Sequence, residues 1–186
     1  MAHRWIVTAL GADQPGIVAG VTKILFEQGC NLEDSTMTRL EGEFAIMLIF
    51  SAPAGAAADV LRRAFSALEQ RQGLVVHLKP LSGRETTAPK KRGALHRISV
   101  YGADRPGIVY RISALLSRAG VNITDVHTHR SAGHRRTKDA PSLYLLLLEV
   151  ELPRARSRAW LERTLKQTAA RLGVEVSLRS SEPEVL

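Results

Sequence analysis

The sequence predicts an α+β fold: two tandem ferredoxin-like βαββαβ modules, each an antiparallel sheet with both helices on one face. Three observations predict it. A loop motif recurs at a fixed offset, alternating and helical hydrophobic periods follow one another in the same order twice, and glycines punctuate the same junctions in both halves.

The repeat comes first. Gly11-Ala-Asp-Gln-Pro-Gly-Ile-Val18 returns as Gly102-Ala-Asp-Arg-Pro-Gly-Ile-Val109, an offset of 91. Leu25 then matches Leu116, Gly29 matches Gly120, Asn31 matches Asn122 and Asp34 matches Asp125. Further on the offset becomes 100, pairing Pro53 with Pro153, Leu61 with Leu161 and Gly73 with Gly173. The difference is an insertion of nine residues, around Arg130 to Pro141. A unit this long is a duplicated domain rather than a solenoid repeat. The expected division is a first domain over 1–80, a linker rich in Ser, Gly, Thr, Pro and Lys over 81–94, a second domain over 95–180 and a tail over 181–186.

Within the first unit, His3 to Leu10 reads as a strand ending at Gly11. Ile17, Val21, Ile24 and Leu25 have helical spacing, and Gly29 closes that helix. Asn31 to Leu40 is a less apolar strand, hence an edge. Phe44 to Ser51 is apolar on both faces, hence central. Ala56 to Gln72 forms the second helix, and Leu74 to Lys79 the last strand. The second unit repeats the order with strands at Leu95 to Tyr101, Asn122 to Arg130, Ser142 to Leu152 and Val174 to Arg179. Its helices are expected at Ile108 to Arg118 and Arg154 to Leu172. Helices cover one sheet face in this arrangement. The third strand is apolar on both faces, Phe44, Ile46, Leu48 and Phe50 on one and Ala45, Met47 and Ile49 on the other, so the face the helices leave open needs another cover, which predicts a homodimer or packing of sheet surface between modules.

Composition excludes several classes. Hydrophobic residues are 45% and charged residues 24% of the 186, a globular balance. No apolar run reaches the ~18 residues of a membrane helix, the stretch from Trp5 to Leu10 is too short for a signal peptide core, and Cys30 is the single cysteine. A cytoplasmic protein without membrane attachment, disulfides or thiolate metal clusters is expected. The net charge of +8 is one-sided: residues 1–90 carry 9 Lys and Arg against 9 Asp and Glu, and residues 91–186 carry 17 against 9. Arg135, Arg136 and Lys138 are concentrated, yet no aromatics interleave them and no nucleic-acid motif accompanies them, so direct nucleic-acid binding is not expected. Arg156, Arg163, Lys166 and Arg171 lie opposite an apolar stripe and read as a solvated helix face.

A strand, then Asp-x-Pro-Gly-Ile-Val, then a helix, then Gly-x-Asn before the second strand: this pattern resembles the ACT domain family. Asp13, Pro15, Gly16, Gly29 and Asn31 carry the resemblance, and Asp104, Pro106, Gly107, Gly120 and Asn122 carry it again. It covers nearly the whole chain. ACT domains are regulatory modules that commonly bind amino acids, and a chain of two such domains is similar to the glycine cleavage system repressor-like proteins. The resemblance implies a regulator with no cofactor and no catalytic residue. It would sense a free amino acid such as glycine or serine, and modulate transcription through a protein partner such as a transcriptional activator. Two alternatives stand beside it: a nucleic-acid-binding regulator using the basic half, and the detached regulatory subunit of a metabolic enzyme.

The residues also support a ligand site on their own chemistry. The ligand-binding candidates are Asp13, Gln14, Pro15, Gly16, Ile17 and Asn31, with Asp104, Arg105, Pro106, Gly107, Ile108 and Asn122 in the second copy. Proline loses no hydrogen bond at a helix start, and glycine admits close approach to the backbone. Free N–H groups of the first turn can hold a carboxylate. Asp13 suits an ammonium group, and Asn31 offers a donor and an acceptor at the start of the next strand. A second reading needs no ligand: Asp13 caps the helix by accepting from Gly16 N–H, worth ~1 kcal/mol, and Asn31 satisfies turn backbone. A third reading has one copy keep a working site while the other only folds. His127 and His129 share a strand face, with His134 nearby, but no further ligand completes a metal shell, and no metal site is expected. Cys30 reads as a small buried hydrophobe. No nucleophile elbow, P-loop or dinucleotide fingerprint appears, and no enzyme is expected.

Overall fold

A computed structural model of the chain describes residues 3–53, 58–81, 93–131 and 142–181. It divides into two units, residues 1–88 and 89–186. The first contains β1 (His3–Ala12), α1 (Ile17–Glu27), β2 (Asn31–Leu40), β3 (Glu43–Ala52), α2 (Ala58–Gln72) and β4 (Val75–Pro80). The second contains β5 (Gly93–Ala103), α3 (Ile108–Arg118), β6 (Asn122–Ser131), β7 (Leu143–Pro153), α4 (Arg158–Leu172) and β8 (Val174–Ser180).

Each unit forms one four-stranded sheet, ordered β2-β3-β1-β4 and β6-β7-β5-β8. All pairings are antiparallel. The two-residue period of the strands sets the core. Trp5, Val7 and Ala9 of β1 and Phe44, Ile46, Leu48 and Phe50 of β3 turn inward onto Ile17, Val21, Ile24 and Leu25 of α1 and Leu61, Phe65 and Leu68 of α2. The second core repeats this with Ile98, Val100, Leu146, Leu148 and Val150 under Ile112, Leu116, Leu161 and Leu165. On the other face, Ile6 lies opposite Ile49, Thr8 opposite Met47 and Leu10 opposite Ala45. Leu10 and Met47 remain 48% and 43% exposed there.

β2 is the edge strand that its polar sequence predicts, and each of its residues is exposed. Its ladder shifts register between Leu32 and Asp34, and β6 shifts between Ile123 and Asp125, the same place in the repeat. In both bulges the aspartate accepts a hydrogen bond from the next backbone amide, Ser35 N at 2.8 Å and Val126 N at 2.9 Å.

Several boundaries differ from expectation. The last helix starts at Arg158, not Arg154, because Arg156 N closes a turn onto Pro153 O at 2.9 Å. Ser157 Oγ then caps the helix by accepting from Trp160 N. β5 begins at Gly93, where Gly93 and Ala94 extend the ladder against Pro153 and Leu152. The described part of α2 begins at Ala58, residues 54–57 lying outside the described set. The basic segment with His134, Arg135, Arg136 and Lys138, most of the expected linker and most of the tail also lie outside it.

Candidate ligand-binding site

The helix-start loop is built identically in both units. Asp13 N donates to Gly42 O and Asp104 N to Ser142 O, each at 2.8 Å, tying the loop to the hairpin beside it. Pro15 and Pro106 precede the helix rather than beginning it. The N-cap residues are Gly16 and Gly107, with φ of 96° and 93° and no side-chain cap. Only glycine takes that left-handed conformation cheaply. Intrahelical bonding begins with Gly20 N to Gly16 O and Arg111 N to Gly107 O. The N–H groups of the first turn before it are left without an intrahelical partner, as at any helix start.

Asp13 does not cap the helix. Arg39 Nη1 of β2 donates to Asp13 Oδ2 at 3.0 Å. Arg130 Nη1 of β6 stands 3.7 Å from Asp104 Oδ2. The capping alternative therefore gives way to an ion pair across the loop. Reasoning from the loop motif missed Arg39 and Arg130, although they too match at offset 91.

The structure separates the residues expected to grip one amino acid. Asp13 sits at the Gly42–Glu43 end of the sheet, whereas Asn31 pairs with Ser51. Eight residues of β3 lie between those levels, about 26 Å at strand rise. Asp104 and Asn122 are held apart in the same way, since Asn122 pairs with Glu151. Asn31 and Asn122 are therefore not neighbours of the loop in their own unit, because α1 and α3 carry the chain back along the sheet before the next strand starts.

The remaining candidates divide between core and surface. Ile17 and Ile108 are buried in the cores, so only their backbone amides face the loop. Gln14 reaches the far end of α2, where its Nε2 donates to Gln72 O at 2.7 Å. Arg105 makes the corresponding reach to α4: a Cβ built on Gly173 would lie 3.1 Å from Arg105 Nη1. A cation at a helix C-terminus is favourably placed against the helix dipole.

An open hollow of about 1030 Å³ adjoins Asn122, lined among others by Tyr110, Ser113, Ser117 and Glu151. It lies at the Asn122 end and does not include Asp104 or Gly107. At the matching place in the first unit, Cys30 precedes Asn31, half-buried, its thiol pushed up in pKa by burial. His127 Nε2 lies 2.8 Å from Asp125 Oδ2 on the open sheet face. No group of three or more His, Cys, Asp or Glu is disposed to hold a metal among the described residues. No described helix is long and apolar enough to cross a membrane.

The family model of the ACT domain matches residues 3–79 and 97–179, one match per unit. The glycine cleavage system transcriptional repressor of Escherichia coli (strain K12) is 26% identical over 95% of this chain and 89% of its own length. Among solved structures, an unknown protein from Galdieria sulphuraria superposes with a TM-score of 0.80 at 22% identity, over 98% of this chain and all of the other. A putative glycine cleavage system transcriptional repressor superposes with a TM-score of 0.70 at 16% identity, over 98% of this chain and 99% of that one. These two likenesses show the tandem fold.

Proposed function

We propose, from its membership of the ACT domain family shown in both units, that this chain is an amino-acid-sensing regulatory protein. It acts in the cytoplasm without catalysis and modulates transcription of amino-acid metabolism, glycine cleavage foremost, through contact with a protein partner. The observation that carries the reading is that the resemblance to a transcriptional repressor runs the length of both chains. Two ligand-type modules therefore account for the described architecture.

The geometry supports a ligand site completed by a second copy. The loop amides at Gly16 suit a carboxylate, and Asn31 suits an ammonium group or a carboxylate, but they stand at opposite ends of edge strand β2. That strand's outer edge is unpaired among the described residues. Antiparallel pairing of β2 with its counterpart in a homodimer would bring the Asn31 end of one strand beside the Asp13 end of the other. The two halves of the recognition chemistry then meet across the interface, and ligand binding is coupled to assembly. Glycine and serine are the preferred ligands in this reading.

A thermal-shift screen against free amino acids tests it, since a ligand of the native state raises stability by mass action. Glycine or serine at millimolar concentration is expected to raise Tm. Asn31→Ala combined with Asn122→Ala should remove the shift while the unliganded melting curve stays in place. A screen in which none of the amino acids moves Tm contradicts the sensing function.

A further inference from the structure

The second unit's excess of positive charge has a definite location. A furrow between α3 and α4 holds two adjoining hollows, of about 540 and 310 Å³, which share Leu115, Arg118, Thr168 and Arg171. Arg105 and Arg111 line the first and Arg156 the second, and no acidic residue lines either. None of these five guanidiniums forms an ion pair among the described residues. Two other cations of α4 are engaged elsewhere: Lys166 pairs with Glu162 at 2.8 Å, and Arg158 donates to Ser180 Oγ and Leu178 O. Arg156 is held with its guanidinium carbon 4.9 Å from the centre of the Trp160 ring.

The fold does not require three of these cations, whereas Arg171 is matched by Arg71 in the first unit. Where the second unit has Arg105, Arg111 and Arg118, the first has Gln14, Gly20 and Glu27 at offset 91 and builds the same helix pair. Like charges gathered in one concavity repel one another, a cost that an anion between them would relieve. Guanidinium forks match the oxygens of phosphate in paired hydrogen bonds. The larger hollow is within the ~300–1,000 Å³ of small-molecule sites. Four of the cations, Arg105, Arg111, Arg118 and Arg171, line the larger hollow from a loop and two helices, which fits a compact anion better than a nucleic-acid strand.

We propose that the furrow between α3 and α4 binds a compact polyphosphate anion in its larger hollow, gripped by Arg105, Arg111, Arg118 and Arg171. The proposal stands without the amino-acid reading, although Arg105 and Pro106, which line the furrow, also belong to the helix-start loop.

Titration calorimetry of the full chain with inorganic tripolyphosphate at physiological ionic strength tests the proposal. Micromolar binding is expected, weakened about tenfold or more by Arg111→Gln with Arg118→Gln. Arg105→Gln, which supplies the side chain the first unit already carries, should weaken it by a smaller factor without loss of fold. Arg163→Gln, outside the furrow, should leave it unchanged. Absence of binding at millimolar tripolyphosphate overturns the proposal. So does an equal loss in Arg163→Gln, which would mean diffuse charge attraction. A DNA duplex that binds through the same arginines more tightly than tripolyphosphate overturns it in favour of nucleic acid.

Discussion

The two units share a backbone and differ in what they present on it. Gly16 and Gly107 hold the same left-handed cap, Asp13 and Asp104 the same arginine from the edge strand, and both edge strands bulge before the matching aspartate. On the helix pair the units diverge: a hydrogen-bonded glutamine, a glycine and a glutamate in the first stand where the second has three arginines. Duplication has kept the residues whose conformation the loop cannot form without. It has rewritten the helix face, where substitution costs little stability and sets what the surface can bind. The shared loop fits the proposed common ligand chemistry, and the divergent face the proposed anion site of the second unit.

The comparison is broken most forcefully at the caps. Gly16→Ala and Gly107→Ala each force a Cβ into positive φ and should each cost about 1–2 kcal/mol, measured by urea denaturation. Equal losses would confirm that both caps bear the same strain. A neutral effect at one would show that its loop rearranges freely. The ion pairs give a smaller and unequal effect. Asp13→Asn loses a 3.0 Å contact and Asp104→Asn a 3.7 Å one, between partly exposed groups worth about 0–1 kcal/mol. The loss should be greater at Asp13 and should shrink at high salt in the same denaturation experiment. Smallest is Cys30→Val, which installs the residue the second unit carries at Val121, buried in its core. Stability should change by less than about 0.5 kcal/mol. In the unmodified chain, desolvation keeps the Cys30 thiol protonated where a free thiol begins to ionise, so alkylation at mildly alkaline pH should be slower than that of free cysteine.

The fold was legible because the residues that set it are local and repeated. Gly29 and Gly120 mark helix ends, the run Phe44 to Ser51, apolar on both faces, reads as a central strand, and the less apolar run Asn31 to Leu40 reads as an edge. The helix start was misjudged at Arg154 because Ser157, a better cap, follows an arginine-rich turn without apolar periodicity. The site was legible only in pieces. Sequence order places Asn31 after the loop but does not show that an 11-residue helix carries it to the far end of the sheet. Arg39 and Arg130 went unnoticed because they stand one strand away from the motif they serve. The arginines of α3 and α4 looked like a solvated face because periodicity separates core from surface but does not show two surfaces meeting in a furrow.

Sedimentation velocity of the chain, alone and with millimolar glycine or serine, tests the central claim most directly. The account predicts a homodimer whose association is strengthened by one of these amino acids, with the strengthening lost in Asn31→Ala combined with Asn122→Ala. A monodisperse monomer, unchanged by any amino acid, would contradict it.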